Sequence, residues 1–189
     1  MKNKTNKNIQ PLIDVALFAI LIFSFHFFFR WWAYGDNKYW PIADIIYPVY
    51  DFLSNLLYVN SRWVLSHLTT IDFSFNDNTH TIELSKGYVS VNHGCSGLKQ
   101  FLQWIVLMTL FPGPWKQKLW FIPLGIIIIH LVNIFRITTL SVILNFGATQ
   151  TTWDFTHDWI LRPFFYVVMF GMWVVWVEKF KSVANRYHG

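Results

Sequence analysis

The run from 119 to 144, LWFIPLGIIIIHLVNIFRITTLSVIL, contains a single charged residue, Arg136. A stretch of this length and apolarity is read as a helix crossing about 30 Å of hydrocarbon. Three further runs read the same way, at 12–33, 95–112 and 159–178. The run at 95–112 is short and carries Lys99, Gln100 and Gln103, so it must be shielded by protein or lie near water. Composition agrees. Only 13% of the 189 residues are charged and 20% are aromatic, where a soluble domain carries roughly 25% charge. The net charge of +5 does not indicate nucleic acid, because the basic residues gather at segment ends. The basic N-terminus is followed by FHFFFRWW with no small-residue cleavage site, so the first run reads as a retained anchor. The single cysteine excludes an internal disulfide.

Residues 43–68 have apolar positions at helical spacing (Ile46, Val49, Leu53, Leu56, Leu57), interrupted by Asp44, Asp51, Asn55, Asn60, Arg62 and His67. That pattern fits an amphipathic helix lying at the membrane interface. Lysines 2, 4 and 7, Lys116 with Lys118, and Lys179, Lys181 and Arg186 flank the runs. Four crossings place all three clusters on the cytoplasmic side, as the positive-inside rule asks. A fifth crossing at 43–68 would put one of them outside. Residues 71–92 alternate in TIEL and YVSV around turn-like NDNT and SKG, which predicts a small β-hairpin outside the cytoplasm. The expected fold is an all-α integral membrane protein in a single membrane domain, 1–189. It has about four transmembrane helices, the interfacial helix 43–68 and the extracytoplasmic hairpin 71–92.

This topology gives the polar residues a depth. Cys95 opens the second run at the outer surface. Arg136 lies about 27 Å above Lys118 at 1.5 Å per residue, near the outer edge of the hydrocarbon. His157 precedes the fourth run, again outside. All three therefore reach one level. At a helix start, with Lys99 one turn on, Cys95 would be favoured as thiolate. Gly94 and Gly97 would admit a substrate backbone, and first-turn N–H groups could bind an oxyanion. His157 can move protons near neutral pH, and Arg136 is a permanent donor.

Each residue also has a plainer reading. Cys95 could be a small buried side chain and His157 a cap or interfacial residue. Arg136 could belong to a structural pair, although a mid-span arginine is usually functional. Arg30 and Arg162 read as snorkelling residues. His130 and Asn133, on a face similar to that of Arg136, line the site or bond between helices. Asp158 orients His157 or caps the fourth run. Lys99 tunes the thiol or meets a lipid phosphate. His93 is a rival base ranked below His157.

Taken in order, GCSGLKQF, HLVNIFRITTLSV and HDWILRPFFYVV resemble the exosortase/archaeosortase family of membrane-embedded cysteine transpeptidases, over about residues 90–180. The family pattern is Cys-Ser-Gly at the outer start of one helix, Asn-x-x-Arg in the next and His before the last. The resemblance implies Cys95 as nucleophile, Arg136 as transition-state stabiliser and His157 as acid/base; Gly94, Ser96, Gly97, Lys99, Asn133 and Asp158 are the supporting candidates. In archaeal relatives an Arg can stand where this chain has His157. The chain is shorter than the long exosortases and resembles the compact branch.

The resemblance further implies substrate proteins ending in a short motif, a transmembrane helix and a basic tail. The new C-terminus passes to a lipid- or glycan-linked acceptor on the membrane surface. The implied location is the cytoplasmic (inner) membrane, with the site facing outward. No metal or cofactor is needed, no nucleic acid is a partner, and the sequence lacks H-E-x-x-H. Two other readings stay open. One is a non-catalytic membrane subunit of a polysaccharide export or assembly system. The other is an enzyme acting on lipid-linked phosphate through Arg136, Arg162, His157 and Lys99.

Overall fold

The computed structural model describes residues 5–34, 38–69, 71, 73–85 and 87–181. The fold is mostly helical with one small sheet. Helices α1 (Thr5–Tyr34), α2 (Ala43–Leu68), α3 (Leu98–Leu110), α4 (Trp115–Asn145), α5 (Gln150–Phe155) and α6 (Arg162–Trp176) are separated by short connections. A three-stranded antiparallel sheet of β1 (Ser74–Asn76), β2 (Thr81–Leu84) and β3 (Gly87–Ser90) lies between α2 and α3. The π-helical segments Thr156–Leu161 and Val177–Lys181 flank α6.

Among the described residues, three helical stretches are long and apolar enough to cross a membrane: Ile9–Ala33, Trp115–Asn145 and Gln150–Phe180. The run at 95–112 yields a shorter helix than its apolarity suggests. It begins as a 3₁₀ turn, His93–Cys95, and α3 then spans only 13 residues, against the roughly 20 a helix needs to cross. The break falls at Gly97, whose left-handed φ of +82° ends one turn and starts the next. The last helical stretch opens at Gln150 rather than 159, because Thr149 Oγ1 accepts the Thr152 N–H and caps it. The expected hairpin gains a third strand. Ser74–Asn76 pairs with Glu83–Thr81, continuing the alternation of Ile71, Phe73 and Phe75.

Helix α4 is the hub. Its buried residues, Phe121, Gly125, Ile129, Asn133, Arg136/Ile137 and Leu140/Ser141, recur every three to four positions and form one stripe. The lower part of the stripe packs with α1, α3 and α6 around Trp104, Met108, Phe165, Met169 and Trp176. The upper part packs with α2 and the sheet around Leu57, Tyr58, Leu65, Ile82 and Val91. Helix α2 forms over the range expected, but its buried stripe runs through Ile46, Tyr50, Ser54, Leu57, Tyr58, Ser61 and Leu65. Serine and tyrosine therefore fill positions where aliphatic residues would be sought, and Leu56 faces outward.

One polar residue of α3, Gln103, is shielded by protein. Gln103 is buried and donates to Ile22 O of α1 at 3.0 Å. Lys118 is buried too. Its ammonium donates to Thr109 O and Phe111 O at the end of α3 and lies 4.4 Å from the Trp115 ring centroid. A cation on terminal helix carbonyls is favoured by the dipole, so Lys118 is a cap as well as a loop charge. The sheet is tied to α2 by Asp77, which accepts from Tyr58 OH at 2.7 Å and pairs with Arg62.

Two predictions follow from these contacts. A Cβ on Gly125 would lie 2.1 Å from Trp104 Nε1, which donates to Ile122 O. Gly125→Ala should destabilise the chain by about 1–3 kcal/mol through overpacking, and an unchanged thermal midpoint in micelles would contradict this packing. The hydroxyl of Tyr58 and the guanidinium of Arg62 hold the Asp77 carboxyl below its ordinary range, while burial and Asp77 push Tyr58 up to about 12. A depressed carboxyl stabilises the fold above its unfolded pKa of about 4 and loses that contribution as pH falls through its lower folded value. The protection of amides in residues 74–84 against hydrogen exchange, relative to unfolded-chain rates, should therefore fall in acid below about pH 4. Asp77→Asn should abolish that pH dependence.

Candidate active site

The Cys95 thiol sits on a sharply specified turn. The side-chain oxygen of Asn92 accepts the Gly94 N–H at 3.0 Å, and Cys95 N–H donates to Asn92 O at 2.9 Å. Ser96 Oγ donates to His93 O at 2.8 Å and accepts the Leu98 N–H at 3.3 Å, so Ser96 both closes the turn and caps α3. Cys95 thus ends a 3₁₀ turn three residues before α3, rather than opening that helix. The N–H groups of Cys95, Ser96 and Leu98 are already bonded. Part of the set of amides around the thiol, where an oxyanion is expected to bind, is thus engaged within the turn.

Two side chains of α4 meet the same turn. Asn133 is fully buried, and its Nδ2 donates to the Cys95 carbonyl at 2.7 Å. One turn later, buried Arg136 donates through Nη2 to the same carbonyl at 3.3 Å. Its guanidinium also interacts with the Cys95 side chain and lies 5.5 Å from the Phe165 ring centroid. The Arg136 Nε and the Asn133 Oδ1 are buried with no hydrogen-bond partner. An unmet buried donor or acceptor costs about 1–3 kcal/mol, so both groups are suited to a ligand that satisfies them.

Gly97 is needed for this approach. A Cβ there would lie 2.9 Å from Asn133 Nδ2, and its φ is left-handed. Gly97 therefore admits Asn133. Gly94 has no such φ, and a Cβ would meet only Asn92 Oδ1, at 3.2 Å.

His157 lies inside the helical stretch, in its π-helical segment, rather than ahead of the last span. Its Nδ1 is 2.6 Å from Asp158 Oδ1, and its ring stacks on Trp153 at 4.9 Å and 8°. Asp158 also pairs with Arg162 at 3.0 Å. It therefore holds the His157 ring through Nδ1. His157 feels the charges of Arg136 and Arg162, but no hydrogen bond joins it to Cys95. Such bonds commonly tighten only when substrate is bound.

The remaining expected residues are placed as follows. Lys99 Nζ lies 3.0 Å from His26 Nδ1, which is 3.2 Å from Tyr166 OH. Lys99 thus turns to α1 and α6, with the charges of Arg162 and Arg30 nearby, and its hydrogen bond is to His26 rather than the thiol. His130 bonds Asn60 of α2 at 2.9 Å, which is an interhelical role. His93 bonds Asp51 at 2.6 Å. These three pairings link residues 73, 70 and 42 positions apart, and no local sequence signal announces them. The early start of the last helix was legible in Thr149, a good cap residue before QTTWDF.

The architecture is that of a helical membrane protein whose central helix presents a buried Asn-x-x-Arg to a cysteine-bearing turn. The family model "Transmembrane exosortase (Exosortase_EpsH)" matches residues 12–174, and the chain belongs to that family. No curated protein and no solved structure matches it significantly.

The Gly97–Asn133 approach can be tested by a double-mutant cycle. Gly97→Ala should cost about 1–2 kcal/mol from the left-handed φ plus the clash with Asn133. In an Asn133→Ala background the clash component should vanish, giving a coupling of about 0.5–3 kcal/mol. Strict additivity of the unfolding free energies would show that the two residues do not meet.

Proposed function

We propose that the protein is a membrane-surface cysteine protease-transpeptidase that cleaves the C-terminal sorting signals of exported proteins. The observation that carries this reading is the pair of α4 donors, Asn133 and Arg136, on the carbonyl of the one cysteine, together with the family match. In this reading the Cys95 proton passes to His157 Nε2, and the thiolate attacks the scissile carbonyl. The Arg136 guanidinium, with its unpartnered Nε, stabilises the oxyanion. The imidazolium, held by Asp158, protonates the leaving amine, and a thioester on Cys95 remains. In the hydrolytic branch His157 Nε2 takes a proton from water. No step requires a metal or cofactor.

The proposed setting is the cytoplasmic membrane, with four crossings and α2 along the outer interface. Helix α3 reaches about 20 Å and its preceding 3₁₀ turn about 6 Å more, close to the hydrocarbon thickness. Cys95 then stands at the outer edge. The fitting substrate carries a short motif there, a membrane helix and a basic tail. The cleaved chain passes to a lipid- or glycan-linked acceptor.

The test co-expresses the chain with a reporter ending in a motif, apolar helix and basic tail from the same cell, followed by intact mass. Cys95→Ala should abolish processing. Arg136→Ala should lower it about 10²–10³-fold and His157→Ala about 10²–10⁴-fold, at equal membrane levels. Full processing by Cys95→Ala would sink the thiol mechanism and favour a lipid-phosphate or scaffolding role.

A further inference from the structure

A second His–Asp pair joins Asp51 to His93, two residues from Cys95 in the chain, and the mechanism above uses neither side chain. His93 belongs to the same 3₁₀ turn as Cys95. Its Nε2 is 2.6 Å from Asp51 Oδ1 of α2, and its ring stacks on Tyr50 at 5.2 Å and 22°. The carboxylate keeps Nε2 protonated, so the lone pair of the neutral ring is on Nδ1. The ring is fixed by the stack yet half-exposed.

The pair opens onto a recess of about 350 Å³ lined by Asp51, Ser54, His80, Ser90, Asn92 and His93. Ser54 is 3% exposed, and its Oγ has no hydrogen-bond partner, an unmet polar group at the recess wall. The lining comes from α2, the sheet and the turn, and none of it from α4, α5 or α6. The recess therefore reaches Gly94, the residue before Cys95 in the chain, from elements other than those carrying Arg136 and His157. Its one formal charge is the carboxylate of Asp51, whereas Lys99, Arg30 and Arg162 cluster beyond the turn without an acidic partner among them except Asp158.

We infer that this recess is the entry site for an amine acceptor, with His93 as its general base and Asp51 as the group that holds His93 and attracts the incoming ammonium form. The inference rests on the thiol reading above and deepens it. A primary amine enters the recess in its neutral form or loses a proton to solvent there. Its nitrogen attacks the Cys95 thioester as His93 Nδ1 takes the second proton. The C–S bond breaks, the new amide forms and the sulfur leaves as thiolate, which recovers its proton from the imidazolium. A cleaved fragment anchored by a membrane helix leaves sideways into lipid. An acceptor arriving from the sheet side can attack without waiting for that departure.

The test uses the full-length chain in micelles and needs no natural substrate. Cys95 is acylated with p-nitrophenyl acetate, with Cys95→Ala as the background. Loss of the acetyl group is followed by intact mass in buffer, in glycinamide and in hydroxylamine, a nucleophile that needs no base. Wild type should partition to glycinamide. His93→Gln should lower the ratio of glycinamide transfer to hydrolysis about 10²-fold, Asp51→Asn should lower it by a smaller factor, and hydroxylamine should still release the acetyl group.

An unchanged ratio in His93→Gln would overturn the inference. So would an equal loss of all three reactions in both variants, which would mark a merely structural pair. If wild-type Cys95 takes no acetyl group, the thiol reading itself fails and this inference with it, an outcome distinct from an acylated enzyme indifferent to His93.

Discussion

The bond from Asn133 Nδ2 to the Cys95 carbonyl, at 2.7 Å, is the contact on which the upper half of the molecule depends. An amide and a guanidinium in the middle of an apolar helix are tolerated only if something meets them. Here one main-chain carbonyl meets both. That fixes the height of the cysteine turn on α4. Gly97 is what lets the turn come so close, and Ser96 closes the turn and starts α3 from it. The same constraint leaves Arg136 Nε and Asn133 Oδ1 buried and unmet. Each such group needs a reason to be there, of which a bound water, an ion or a ligand is one.

Around that bond, α4 divides the protein into two packing environments. Below it, large aromatic and aliphatic side chains of α1, α3, α4 and α6 form a dry core. Above it, α2 and the sheet cover α4 with a smaller core that includes the Cys95 side chain. The thiol sits at the boundary, where apolar packing gives way to polar loops. A side chain there is partly screened from bulk water, so the charge of Arg136 acts on it more strongly than at an exposed position.

The surroundings of the thiol are also electrically uneven. Arg30, Lys99, Arg136 and Arg162 act on one another, and Asp158 answers them through Arg162 and His157. Asp51 and His93 stand at the turn with neutral polar neighbours. Two imidazoles, each aligned by its own carboxylate, thus belong to different structural elements. His157 is carried by a π-helical segment, a helix variant that is frequent at functional sites. His93 is carried by the cysteine turn itself.

The sequence by itself determined the apolar helices, the helical range of α2, the presence of strands before the cysteine, and the order Cys-Ser-Gly, Asn-x-x-Arg, His. These follow from local chemistry: runs of apolar residues, turn residues, and a costly arginine that must have a reason to be in a span. That Asn133 and Arg136 share a face was legible too, from their helical spacing.

Only the tertiary structure decided that Cys95 ends a 3₁₀ turn, that Lys99 turns toward His26, that Asp158 orients His157, and that Asp51 joins His93. It also decided that α2 packs through serines and tyrosines. Apart from Asp158 and His157, which are neighbours, these pairings join residues far apart in the chain. Nothing local to either partner specifies the other. The choice is made when α2, α3 and α4 pack, since each buried polar group must then bond whichever partner the packing brings within reach.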